Sequence, residues 1–216
     1  MARHTVICAL RSGGPYDVGD VHALETMVRR YLPSLDRFVC LTDFPPSAFR
    51  YSIDVIAMEH AWPGHWCKVE LFDPSLPLDG RILYLDLDVV IQGSLEQFIA
   101  DVGPFVIASS GEQKPHPRRV AGYNSSVMAW DHGARRQIYE WFRPERVMAR
   151  YVGDQDWIGA VCPRETTFAP AMVEKFRPGA RPLAPVVLCT NPKPKDALDD
   201  PFIRDHWPLE REAMHA

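Results

Sequence analysis

Within its first 42 residues the chain spells out a strand, a helix and a second strand, and this succession restricts the fold more than any other feature. TVICAL and RFVCLT are short apolar runs of the buried-strand kind. Between them, in VGDVHALETMVRRYLP, Val21, Leu24, Val28 and Tyr31 recur at steps of three and four until Pro33 stops the pattern, so an amphipathic helix is predicted. The alternation then continues. YSIDVIAM reads as a strand, HWCKVELF as a short helix, RILYLDLDVVI as a strand, and SLEQFI as a helix capped by Ser94. PFVIASS and NSSVMAW read as further strands, ARRQIYEWF as a helix closed by Pro144, and DQDWIGAV as another helix. A chain of this kind makes an α/β sandwich on a mainly parallel central sheet.

After Pro163 prolines crowd as far as Pro208, and VVL is the one apolar strand candidate left. This segment is expected to wrap the domain, ordered by contacts or by ligand. With 216 residues, 46% of them hydrophobic, a single domain over 1–216 suffices, with 163–216 as its C-terminal segment. The formal charge is -4 and no run of Lys and Arg dominates, so no extended nucleic-acid surface is indicated. Five scattered cysteines, mostly set among apolar residues and without a CxxC pair, argue for buried thiols in a reducing compartment. No window approaches the ~18 apolar residues of a transmembrane segment, and TVICAL is too short for a signal peptide, so the expected location is cytoplasmic.

Into the apolar run RILYLDLDVVIQ the sequence plants Asp86 and Asp88, two residues apart. On a continuous strand they share a face, Cα atoms ~7 Å apart, while Leu85, Leu87 and Val89 face the other way. Two buried carboxylates side by side repel, and a divalent cation is the simplest compensation. On that argument neutralising either acid costs the metal-free protein no stability. The carboxyl ends of strands in open α/β sheets are also where ligands bind, which would let a metal meet a phosphate. The plainer alternative is that the strand ends at Leu85 and both acids are solvated loop residues.

The ordered set ALRSGGPYD, RFVCLTD, WCKVELF, LYLDLDVV, YNSSVMAWD, GDQDW and NPKPKD resembles the nucleotide-sugar-dependent glycosyltransferases of the GT-A fold, most nearly family 8 and its bacterial look-alikes. The resemblance spans about residues 5 to 207. It implies a Rossmann-like α/β/α sandwich and transfer of a hexose from a nucleotide diphosphate sugar, a UDP-sugar, to an acceptor the sequence does not name, with retention. Asp86 and Asp88, with Leu87 between them, would hold Mn²⁺ or Mg²⁺ against the donor's diphosphate. Leu10, Arg11, Ser12 and Tyr16 would receive base and ribose. Lys68 and Lys193 would reach the donor's phosphates or sugar, and Asn124 and Ser125 the sugar hydroxyls. Asp154 and Gln155 match the acid and amide beside the anomeric carbon and are the expected catalytic pair. The plain readings are a turn at SGGP, a solvated lysine at 68, a turn cap at Asn124 and a helix cap at Asp154.

The chain departs from the family pattern at VVLCTNPKPKD. Cys189 and Thr190 stand where the family carries His-Gly, and that His is a third metal ligand. Cys189 itself, or His206 from farther along, could substitute, or the donor's phosphate and water could complete the shell. The altered position keeps open a non-catalytic relative that binds nucleotide sugar. A haloacid-dehalogenase-type phosphatase, which also has DxD after an apolar strand, fits less well, because the acid pair lies too deep in the chain. Trp62, His65 and Trp66 read either as a sugar-stacking platform or as a core cluster.

Overall fold

The computed structural model describes residues 3–100, 103–110 and 122–208. Strand β1 (His4–Leu10) leads into helix α1 (Val18–Tyr31), whose N-terminus is fixed by a capping box in which Asp17 accepts from the Gly19 amide and Asp20 from the Asp17 amide. β2 (Arg37–Thr42) and β3 (Ile53–Ala57) follow. A 3-10 helix, Gly64–Phe72, stands where the short helix HWCKVELF is predicted. β4 (Arg81–Leu85), β5 (Val89–Ile91), α2 (Glu96–Ile99), β6 (Phe105–Ser109) and β7 (Tyr123–Asp131) make up the middle of the chain. Helices α3 (Gln137–Glu140), α4 (Pro144–Arg150) and α5 (Asp154–Val161) come next. The remainder holds β8 (Thr166–Thr167), β9 (Val173–Lys175), β10 (Val186–Leu188) and α6 (Pro201–His206).

Seven strands form one sheet in the order β3-β2-β1-β4-β7-β6-β8. The pairs β3-β2, β2-β1, β1-β4 and β6-β8 are parallel, whereas β7 runs antiparallel to β4 and to β6. Apolar cores lie on both faces. Val6, Cys8, Leu83 and Leu85 turn toward α1 and the C-terminal segment, while Ile7, Leu41, Ile82 and Tyr84 turn toward the 3-10 helix, α3 and α5. This two-sided burial explains why these strands read as unbroken apolar runs.

The run 81–91 departs from the single strand predicted for it. β4 ends at Leu85, the Asp86 amide donates to the Ser126 carbonyl at 2.9 Å, and the Val89 amide turns back to the Asp86 carbonyl. Beyond the turn β5 leaves the main sheet and pairs antiparallel with β10, which pairs parallel with β9 in a second, three-stranded sheet. Asp86 and Asp88 therefore sit at a strand-to-strand corner. They are not solvated either: Asp88 is buried and the Asp86 side chain is 19% exposed. The corner also explains the C-terminal wrap, because β10 beside β5 brings the Cys189 amide to the Asp88 carbonyl at 2.9 Å. Two smaller expectations are corrected. Leu95, not Ser94, holds the cap position of α2, and the Ser94 hydroxyl merely accepts from the Glu96 amide at 3.3 Å. ARRQIYEWF shrinks to the four residues of α3, since Arg135 takes a positive φ of 61° just before it.

Candidate active site

A cleft of about 640 Å³ opens at the carboxyl ends of β1 and β4, walled by Arg11 to Tyr16, by residues around His65, by Asp86 to Asp88, and by Thr190 and Lys193. The first loop, the Asp86–Asp88 corner and the C-terminal segment meet there because β1 and β4 are neighbours in the sheet and β10 carries the C-terminal segment back to the corner after β4. This is the edge at which open α/β sheets take their ligands.

Each acid of the DxD is matched to its own lysine. Lys68, on the buried face of the 3-10 helix, lies 2.8 Å from Asp86 Oδ1 and 3.1 Å from Oδ2, 3.2 Å from the Ser125 hydroxyl and 3.7 Å from Asp154 Oδ2. Tyr84, two residues before Asp86 on the same strand face, donates its hydroxyl to Asp86 Oδ1 at 2.6 Å. Burial alone would raise the Asp86 pKa, but the Lys68 charge and the hydrogen bonds from Lys68, Tyr84 and Ser126 hold it below the ordinary carboxylate value. Lys68 is shifted upward: burial pulls its pKa down, yet Asp154 and Asp86 outweigh that.

Asp88 is served from the other side. Tyr16 donates its hydroxyl to Asp88 Oδ2 at 2.7 Å, and Lys193 reaches the same oxygen at 2.7 Å. Lys193 also donates to the Tyr16 hydroxyl and lies 4.7 Å from the centre of that ring. Burial, followed by the charge of Asp88, pushes the Tyr16 phenol far up, so it stays a neutral donor. One turn away Lys195 holds Asp17 at 3.0 Å and Asp20 at 2.8 Å, which pins the C-terminal segment to the start of α1.

The first loop is braced rather than free. Asp43, at the end of β2, accepts from the Ser12 amide at 2.8 Å and the Ser12 hydroxyl at 2.5 Å, with Arg11 3.7 Å away. Arg11 also donates to the His60 carbonyl at 3.2 Å. Gly13 takes the left-handed conformation, φ 77°, that lets the loop turn beside the cleft without a side chain. Leu10 is buried in the core and lies behind this wall.

The remaining sequence candidates, Asn124, Ser125, Asp154 and Gln155, do not line the cleft. Asn124 Oδ1 accepts from the Ser126 amide at 2.8 Å, the turn-forming reading of that residue, and buried Ser125 serves Lys68. Asp154 is the first residue of α5, the cap being Gly153, so its carboxylate does not cap the helix but points to Lys68. A Cβ on Gly153 would come within 3.2 Å of His65, which ties the start of α5 to the cleft wall. Gln155, next along, is half-buried. Trp62 stacks on His60 at 4.1 Å and meets Phe142 edge-on, and Trp66 is buried, so the two tryptophans pack against the core, whereas His65 is exposed and lines the cleft.

Two groups at the site, Asp43 and Tyr84, have no part in the sequence reading. Tyr84 could have been found by its two-residue spacing from Asp86, whereas the Asp43–Ser12 contact joins different loops and carries no local signal.

The donor set suits a metal ion incompletely. Asp86 and Asp88 offer oxygens at one place, yet among the described residues no group of three or more His, Cys, Asp and Glu side chains could hold an ion. Cys189 is turned into the core, its thiol on the Val187 carbonyl and its pKa pushed by burial up to about 12. His206 donates through Nδ1 to the Phe202 carbonyl at 2.8 Å and faces a different hollow beside Gln92 and Asp200, so neither residue replaces the expected histidine. Cys8, Cys40, Cys67 and Cys162 are likewise buried and free.

No family model and no curated protein matches the sequence. Solved structures do match. The galactosyltransferase LgtC in complex with donor and acceptor sugar analogs aligns with a TM-score of 0.64 at 14% identity, over 88% of this chain and 88% of that one. The apo glycosyltransferase GlyE of Streptococcus pneumoniae TIGR4 aligns at 0.66 and 14% identity, over 90% of this chain and 56% of its own. The apo bifunctional glycosyltransferase WbbM aligns at 0.68 and 11% identity, over 99% of this chain and 51% of its own. The fold is that of the GT-A glycosyltransferases.

Proposed function

We propose that the protein is a metal-dependent glycosyltransferase that moves a hexose from a UDP-sugar to an acceptor with retention, working as one domain with its C-terminal segment packed on the donor site. The observation that carries this reading is the cleft itself, in which the DxD acids, two lysines and the first loop converge at the carboxyl edge of a GT-A sheet. Its volume falls within the range of small-molecule sites.

Arg11, Ser12 and Tyr16 border the part of the cleft suited to base and ribose. Asp86 and Asp88 would hold a divalent ion, Mn²⁺ or Mg²⁺, together with the donor's phosphate oxygens and water. Such an ion, when bound, would supply positive charge to the leaving diphosphate. Asp154 serves here as a charge partner of Lys68, since its buried carboxylate already faces an ammonium. Gln155 is the group proposed to face the anomeric carbon. In this reading the departing diphosphate takes the acceptor's proton as the acceptor oxygen bonds to the anomeric carbon on the same face, and the glycosidic bond to phosphate breaks. No helix among the described residues is long and apolar enough to cross a membrane, and five buried thiols suit the reducing cytoplasm.

Incubating the protein with UDP-sugars and Mn²⁺ tests the reading: UDP release that depends on the metal is expected, and Gln155→Ala should lower kcat at least ~10-fold with little change in KM. Binding of UDP-sugar without turnover would point instead to a non-catalytic relative.

A further inference from the structure

Helices α3 and α4 carry a charged face that the cleft does not use. Residues 132–151 hold five arginines against two acids, Glu140 and Glu145, in a chain whose formal charge is -4. Arg135 is held by Glu165 through two hydrogen bonds of 2.6 and 2.8 Å, and Arg136 pairs with Glu140 at 3.5 Å. Arg143, Arg146 and Arg150 are exposed, and among the described residues none of them forms an ion pair with a carboxylate. Arg143 reaches only the Glu140 and Phe142 carbonyls, and Arg150 lies over the Tyr151 ring. Their spacing of three and four places the three on one side of α4, while Val147 turns into the core.

Trp141 stands two residues before Arg143. It is 60% exposed, and of the six tryptophans it alone is exposed. The face also adjoins the cleft wall. Phe142 meets Trp62 at 4.7 Å and Tyr139 bonds to His60 at 2.8 Å, on the loop whose Ala61, Pro63, Gly64 and His65 line the cleft.

We infer that this face docks the protein on an anionic lipid surface, with Trp141 at the level of the headgroups and Arg143, Arg146 and Arg150 on their phosphates. Charge and shape both select that partner. An arginine near an anionic leaflet strengthens binding about fivefold, and three of them without competing carboxylates act together. An indole has an apolar body and one N–H, which suits it to the boundary between headgroup and chain. Because Val147 already packs in the core, α4 rests on the surface and does not insert. A nucleic acid fits less well, since tight binding takes more phosphate contacts than three arginines supply and a row of rings for its bases. The docking does not depend on the transfer reading.

The test is co-sedimentation with vesicles of phosphatidylcholine and phosphatidylglycerol, compared with vesicles of phosphatidylcholine alone. Binding to the anionic vesicles only is expected, and salt at ~1 M, where the Debye length is ~3 Å, should release it. Arg146→Gln should weaken binding about fivefold, and the triple change Arg143→Gln, Arg146→Gln, Arg150→Gln ~100-fold. Arg30→Gln removes an equal charge from α1, across the sheet, and should bind as the unaltered protein does. Equal sedimentation with both kinds of vesicle, or undiminished binding by the triple variant, overturns the inference. Capture by a single-stranded RNA oligonucleotide with no binding to the vesicles would give the face to nucleic acid and overturn it too. Should the triple variant fail to fold, Trp141→Phe decides: the blue shift of tryptophan emission on anionic vesicles should vanish with the indole, and a shift that persists refutes the docking.

Discussion

The two lysine–carboxylate pairs of the cleft look alike in charge and differ in construction. Lys68 grows from a buried 3-10 helix and serves Asp86, Asp154 and Ser125 at once, drawing three stretches of the central fold together. Lys193 arrives from the proline-rich segment, partly exposed, and shares one oxygen of Asp88 with Tyr16. The first pair is a structural joint of the sheet and α5. The second joins the sheet to its wrap through a partly exposed ammonium. Buried charge explains the difference: a desolvated ammonium with two desolvated carboxylates is held firmly because each would be costly alone, whereas a partly exposed one can trade partners at small cost.

The comparison breaks most directly if the two lysines prove equally important for folding. Lys68→Met leaves Asp86 and Asp154 buried without their cation and should cost ~3–5 kcal/mol of stability. Lys193→Met leaves a carboxylate still served by Tyr16 and should cost about 1 kcal/mol or less. Urea unfolding of both variants beside the unaltered protein measures this, and equal midpoints would merge the two pairs into one class.

The acids sharpen the same contrast at smaller amplitude. Asp86→Asn leaves Lys68 with Asp154 at 3.7 Å as its remaining anion and should cost ~1–3 kcal/mol, while Asp88→Asn should be near neutral. For Asp86 this departs from the expectation from sequence, where two repelling carboxylates make neutralisation harmless. The repulsion argument was sound, but its cation is a lysine 18 positions upstream in the chain. The pH dependence has a definite direction as well. Because the folded-state pKa of Asp86 is depressed, its contribution is present above the unfolded value of ~3.9 and is lost as pH falls through the lower folded value. In Lys68→Met that share of the acid sensitivity should vanish.

What the sequence revealed follows the same divide. The strand and helix runs of the first 42 residues appear where periodicity put them, because both faces of that sheet are covered and local pattern equals tertiary role. DQDWIGAV matches α5 residue for residue. The corner at Asp86–Asp88 was not legible as a corner, since LYLDLDVV is equally apolar on both sides of it, and only pairing with β10, ~100 residues later, ends one strand and starts another. The acids were visible as chemistry and their partners were not. Lys68 and Lys193 were placed at the site by resemblance alone, and their division of labour depends on burial, which no short pattern encodes. Asp43 shows the limit: it braces Ser12 and Arg11 from the neighbouring strand through loop geometry that leaves no mark on its own segment.

The smallest expected effect separates rigidity from charge in the Lys68 half. Cys67 lines the cleft next to Lys68, is 4% exposed, and has its pKa pushed up to about 12 by burial, with the Lys68 charge opposing that rise and Asp154 and Asp86 adding to it. Its thiolate fraction at pH 8 is therefore minute, and alkylation by iodoacetamide should be undetectable over an hour in the native protein while all five cysteines react in denaturant. Removing the neighbouring cation by Lys68→Met takes away the larger of the two charges that lower this pKa, the other being Arg11, so charge alone predicts a thiol at least as inert as before. Loss of the joint predicts the opposite, because a cleft wall that opens exposes Cys67 whatever its pKa. Peptide mapping after alkylation distinguishes the two. Labelling of Cys67 in Lys68→Met but not in Lys193→Met would show that Lys68 holds the wall closed, and labelling in both would mean that the C-terminal segment shares that task.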